Sequence, residues 1–331
     1  MANCANDHIN QLAIPDLGSG TYLGTFQGGL YQGGTNTRPA AHTAGGVAQA
    51  ALMTPLNGAG GANPGGNVYF VGLGSSIAGR TWDAFITQIP ADPQVADTCV
   101  AVNASDPGED AADMADISDN YWTTTVPADL AAAGITALQV RAVWLYPHLA
   151  DQAEAFPAHV LTFRDLVGQI IRNVKTFFPN CLICYVAPVH YIGYKELGFP
   201  PFEPYYYEQG FGVKLAIEQQ INGTGNLNWD AGAGAVVAPW CSWGDYHWTD
   251  GALGRADGLD WICPDDVQAD GFHQSDTGRT KLAAHLIQFL KNDESAAGWF
   301  YTGPLPAGAP TALRRFNRRE YHRAKRIGRY S

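Results

Sequence analysis

Four short stretches of the chain are apolar at consecutive positions rather than at alternate ones: "NVYFVGLG" from Asn67, "TCVAVNA" from Thr98, "LQVRAVWLY" from Leu138 and "CLICYVAP" from Cys181. Runs of this length without polar alternation predict strands covered on both faces, the pattern of a parallel sheet. Helical spacing of apolar residues separates them. It shows in "TWDAFITQI" after the first run, in "PADLAAAG" before the third, and over Pro157 to Phe178 between the third and fourth. Further helices are predicted over Glu208 to Ile221 and, behind a Ser275 or Asp276 cap, through "GRTKLAAHLIQFLKN". Strands alternating with helices predict right-handed crossovers and a three-layer α/β/α fold around a central parallel sheet of about five strands. The rest reads as loop, above all Asp16 to His42 and an aromatic-rich stretch from Ala238 to Asp266. The expected organisation is a loop-rich segment over 1–66 packed on the domain, an α/β domain over 67–300, and a Pro/Gly linker with a basic tail over 301–331.

Composition narrows this picture only a little. At 331 residues, 15% charged and with 38 glycines, the chain is a globular, loop-rich protein rather than a disordered one. No run approaches the ~18 apolar residues of a membrane span, so none is expected. The start, "MANCANDHINQLAIPDLG", lacks a basic region followed by an apolar core, so no secretory signal is expected; the chain is cytoplasmic, exported by another route, or has lost a leader. The net charge of −11 hides an asymmetry, because Arg314 to Ser331 carries eight Lys or Arg against one Glu. Removing those seven net positive charges leaves the body at −18, which disfavours nucleic acid on its own surface. The tail alone suits nucleic acid, an anionic membrane, self-assembly or an acidic partner; the plainer alternative is a solvated terminus.

Six cysteines make no metal pattern. Cys181 and Cys184 have C-x-x-C spacing inside a strand-like run, which predicts buried thiols on opposite faces; Cys241 and Cys263 flank the aromatic loop and are candidates to pair. His148, His159, His190 and His247 have no ligand spacing, leaving His190 and His247 as candidate pocket residues, and no metal or cofactor is expected. "GLGSS" lacks the third glycine and the acid of a dinucleotide fingerprint.

The same "GLGSS" places Ser75 and Ser76 where a parallel strand ends, the edge at which such sheets bind ligands. A helix following directly would aim its first N–H groups at a developing oxyanion. Far downstream, Asp270 and His273 lie three apart before a helix start, a spacing that lets a carboxylate orient an imidazole for proton transfer. A capped turn with a histidine at the helix mouth explains the same spacing. Trp240, Trp243, Trp248 and Trp261 suit stacking on sugar rings or anchoring a loop.

On "DLGSGTYLGTFQGGLY", "NTRPAAH", "LAAAGIT", "EPYYYEQGFGVKLAIEQQI", "APWCSWGDYHWTDGALGRADGLDW" and "DGFHQSDTGRTKLAAHLIQFLKND", the chain resembles a bacterial branch of the SGNH (GDSL-like) hydrolases over most of residues 14 to 300. The resemblance implies a flavodoxin-like sheet and hydrolysis of an ester, often an acyl or acetyl group on a carbohydrate, without metal or cofactor. It implies Ser75 as nucleophile, with Ser76 as the alternative, His273 as base and Asp270 as its orienter. Gly74, Asn103 and Gly108 become the candidate oxyanion positions, and Trp243 and Trp248 candidate binding residues. Three blocks depart from the family pattern. The first turn reads Gly72-Leu73-Gly74-Ser75-Ser76 in place of a Gly-Met-Ser-Asn type turn, so an ungapped comparison sets Gly74 at the nucleophile. The loop from Asn103 to Asp116 carries a proline and extra acids, the segment Trp144 to Gln152 lacks the polar block, and Gln274 replaces the proline after the histidine. These departures give the alternative: a catalytically silent SGNH-fold protein, a subunit of a filament, surface layer or virus particle anchored by its tail.

Overall fold

Phe70 and Val71 are neighbours in sequence but belong to different halves of the core, and that alternation organises the molecule. The computed structural model describes residues 1–150, 154–195 and 202–303; Arg314 to Ser331, with every role read into it, lies outside them. In chain order the elements are α1 (Ile14–Leu17), β1 (Thr21–Tyr22), β2 (Phe26–Gln27), α2 (Ala40–Ala50), β3 (Val68–Gly74), α3 (Ser76–Gln88), β4 (Cys99–Asn103), α4 (Ala111–Ala115), α5 (Val126–Ala132), β5 (Val140–Tyr146), α6 (Ala158–Phe177), β6 (Ile183–Val186), α7 (Tyr205–Ile221), β7 (Trp240–Trp243) and α8 (Asp276–Asn292). Strands β4-β3-β5-β6-β7 form one five-stranded sheet in that order, every pair parallel. Val71 and Leu73 of β3, with Val143 and Leu145 of β5, join Phe163 and Ile170 of α6 and Phe211 of α7. Phe70, Ala142, Trp144 and Tyr146 join Trp82 and Phe85 of α3 and Leu286 and Leu290 of α8 on the other face. Helices therefore cover both faces, as the both-sided apolarity of the strands requires.

The strand order decides where a ligand fits. From β3 the chain crosses to β4 on one side, then returns past β3 to β5 on the other. The connections diverge at that point, so a crevice opens above the C-terminal end of β3.

Three expectations change. The fifth strand, "WCSW", lies inside the stretch read as an aromatic loop; all four residues are buried, so it has no polar face to betray it. Its outer side is covered by α2, an undetected helix of small residues in the N-terminal segment, where a Cβ on Gly46 would meet the Trp240 ring at 2.5 Å. Cys263 pairs with Cys4, not with Cys241, which is a buried thiol in β7. Cys181 and Cys184 share one core cluster, because Cys181 precedes β6 and strand alternation does not apply to it. The N-terminal segment is also tied down by Asp250, which accepts the N–H groups of Ile9 and Gln11 at 2.7 and 2.9 Å. Among the described residues no helix is long and apolar enough to cross a membrane, and no three His, Cys, Asp or Glu are grouped to hold a metal.

Candidate active site

The turn between β3 and α3 is built by two glycines. A Cβ on Gly72 would stand 2.4 Å from the Trp82 ring, which packs flat against Trp144. Gly74 has φ 145°, and a Cβ there would collide with the Tyr146 carbonyl oxygen at 2.7 Å. Only a residue without a side chain lets β3 end this close to β5. The next two residues then diverge. Ser75 is the N-cap residue of α3, 3% exposed, its hydroxyl without a hydrogen-bond partner. Ser76 is the first helical residue, and its Oγ lies 2.9 Å from Nε2 of His273. Of the two candidate serines it is therefore Ser76, the alternative, that meets the histidine; Ser75 faces inward. No side chain caps the N-terminus of α3.

His273 sits in a tight turn between Val267 and Gln274, which are bridged to each other. Asp270 closes the turn: its Oδ1 accepts the N–H groups of Phe272 and His273 at 2.9 and 3.0 Å, and its Oδ2 accepts from His273 Nδ1 at 2.6 Å. Partial burial pushes the Asp270 carboxyl up, but the bond from His273 and the two N–H bonds outweigh it and hold the carboxyl down at about 2. An ionised Asp270 on Nδ1 leaves Nε2 unprotonated toward Ser76 in the neutral ring. The turn rests on a buried support: His190 Nε2 donates to the Phe272 carbonyl at 3.2 Å, while the Tyr146 hydroxyl donates to His190 Nδ1 at 3.2 Å. Burial pushes His190 down to about 3, so it works as a neutral brace and not as a pocket residue.

Ser76 and His273 open on a cleft of about 340 Å³. Gly79, Arg80 and Asp83 line it from the same face of α3 as Ser76, at the i+3, i+4 and i+7 positions. Asn103 and Ser105 line a second side, and Gln268 a third. Arg80, Asp83 and Gln268 were not singled out from the sequence, although helical spacing from Ser76 is a signal that finds the first two.

The candidate oxyanion and binding positions fare differently. Gly74 N–H is already spent on the Tyr121 hydroxyl at 3.1 Å. Asn103 reaches the cleft, but its amide donates to Asp83 at 2.8 Å and to the Gly79 carbonyl at 3.3 Å. Gly108 is exposed and lies beyond the cleft, which Pro107 lines instead. No acid of that loop is among the residues that line the cleft; Asp106 accepts from Thr125 Oγ1 at 2.7 Å and Asp110 caps α4. Trp243 and Trp248 are 1% and 0% exposed, and their indole N–H groups bond the Leu30 carbonyl and Glu203. They anchor the aromatic segment in the core and offer no face to a sugar.

No family model and no curated protein matches the chain. Solved structures similar to it include a variant of an acetyl xylan esterase from Geobacillus stearothermophilus, 14% identical over 72% of this chain and 99% of that one, with a TM-score of 0.39. An α/β hydrolase from the metagenome of Lake Arreo is similar at 13% identity over 70% of this chain and 98% of that one, TM-score 0.39. The periplasmic domain of a lipopolysaccharide acetyltransferase from Salmonella ser. Paratyphi A follows at 12%, 68%, 84% and 0.38. Likenesses this weak carry no argument about chemistry. The architecture itself, five parallel strands with helices on both faces and a serine directly after the first of them, is the three-layer α/β/α layout expected from the sequence.

Proposed function

We propose that the chain is a serine ester hydrolase that removes acyl groups, acetyl foremost, from carbohydrate or another small ester. Ser76 is the nucleophile, His273 the general base and then acid, and Asp270 the orienting carboxylate. The run of contacts from Ser76 Oγ to His273 Nε2 at 2.9 Å and from His273 Nδ1 to Asp270 at 2.6 Å is what supports this reading. Ser76 Oγ attacks the acyl carbon while its proton passes to Nε2, and the carbonyl oxygen becomes an oxyanion facing the uncapped N–H groups of α3. Collapse breaks the bond to the alcohol, which leaves with the proton from Nε2, and the acyl group stays on Ser76. Water, deprotonated by the same nitrogen, attacks that ester; the carboxylic acid departs and the proton returns to Ser76.

The spent Asn103 amide and the occupied Gly74 N–H favour a second reading, a silent SGNH-fold subunit. Fluorophosphonate labelling separates the two. Expected is labelling of the wild type and of Ser75→Ala, with loss in Ser76→Ala and in His273→Ala. A folded wild type that takes no label ends the esterase reading.

A further inference from the structure

Arg80 stands one helical turn beyond Ser76 and lines the cleft. Its Nε donates to the Gln274 carbonyl at 2.9 Å, and the Gln268 amide, oriented with its oxygen toward the guanidinium, accepts from both terminal nitrogens. These bonds lock the side chain between the two arms of the turn that carries His273. They use three of the five N–H donors an arginine carries, which leaves two for a ligand. Among the described residues no carboxylate pairs with it, whereas Arg38, Arg164, Arg255 and Arg279 each hold an aspartate. Arg80 is thus a cation fixed in place one helical turn from Ser76, with no carboxylate partner among the described residues, in a chain of net charge −11.

We propose that Arg80 is an anion subsite that takes a carboxylate of the substrate, so that the preferred ester is an acyl group on an acidic sugar. The ester's location rests on the esterase reading above; the binding of the carboxylate does not. One helical turn separates Arg80 from Ser76, about 5–6 Å between Cβ atoms, roughly the width of a sugar ring. The planar guanidinium fork matches a carboxylate. Asp83, three residues further on the same face, lies in the same cleft and opposes anions. It opposes a doubly charged phosphate more than a singly charged carboxylate, which is why the subsite is assigned to the latter. Asp83 also accepts from Asn103 through Oδ1, leaving its other oxygen to accept a sugar hydroxyl.

Galacturonate and galactose differ only in the oxidation of one carbon, and calorimetric titration of both tests the subsite without any turnover. Expected is a preference for galacturonate of about fivefold or more in the wild type, shrinking as salt is raised. Arg80→Gln loses the preference and Arg80→Lys keeps part of it, which separates charge from the bonds that brace the turn. Asp83→Asn leaves those bonds in place and raises galacturonate affinity about twofold. Equal affinity for the two sugars, or binding of neither, by the folded wild type overturns the proposal. Hydrolysis of 4-nitrophenyl acetate without a galacturonate preference sinks the subsite alone. A preference without serine labelling sinks the esterase reading alone.

Discussion

Among the described residues, two of the aspartate–histidine sets have opposite surroundings. Asp270 and His273 keep about a third of their side-chain surface in solvent, meet at 2.6 Å, and continue to a serine. Asp245 lies 3.1 Å from His247 and 3.3 Å from His285, but His247 is fully buried against Trp144 and Tyr146, and no hydroxyl follows. Burial holds His247 below the ordinary histidine range. The residue types are the same in both sets. What separates a candidate catalytic pair from a packing pair is a third group in line and a path for substrate.

The widest break in this comparison comes from Asp270→Asn. Loss of the orienting carboxylate frees the His273 tautomer, and the rate of fluorophosphonate labelling falls by about 10²- to 10⁴-fold with the fold intact. Labelling that stays within a few-fold of the wild type removes Asp270 from the mechanism.

The buried histidines respond to acid. His42, His148 and His190 are pushed down by burial to about 4, 4 and 3, below the ~6.5 of an unfolded chain. Between those values the unfolded state binds protons that the folded state refuses, so stability falls as pH drops below ~6.5. Urea unfolding at pH 7.5 and pH 5.0 is expected to differ by several kcal/mol, roughly 2 for each histidine. Equal midpoints at the two pH values mean that these rings reach water in the folded protein.

A smaller effect sharpens the contrast from the packing side. His247→Leu removes a buried partner of Asp245 and costs about 3 kcal/mol of stability, while the labelling rate of the folded variant matches the wild type. A variant that is fully stable yet slow to label joins His247 to the site after all.

Parts of this site were legible in advance for physical reasons. An aspartate three residues before a histidine, ahead of a helix cap, closes a turn by local geometry alone, and Ser275 does cap α8, accepting the Gly278 N–H at 3.0 Å. The serine pair is located by the sequence with Ser75 placed first, whereas it is Ser76 that meets His273, because which hydroxyl faces outward depends on how Gly74 ends β3 against the Tyr146 carbonyl. Trp243 and Trp248 read equally as sugar platforms or as anchors, and it is the anchors that the core holds, because aromatic residues in a loop and in a core look alike in one dimension.

Apolarity on both faces of β3, β5 and β6 determined a parallel sheet, and glycine before two serines determined a tight turn at its edge. These properties are local, since they follow from backbone sterics and the periodicity of strands and helices. Only the tertiary structure decided that Ser76 meets His273, that Cys4 takes Cys263, that "WCSW" is the fifth strand and that Arg80 stands fixed in the cleft. Each of these pairs residues far apart in the chain, and such contacts are chosen by how whole layers pack and leave no mark in the spacing of neighbours.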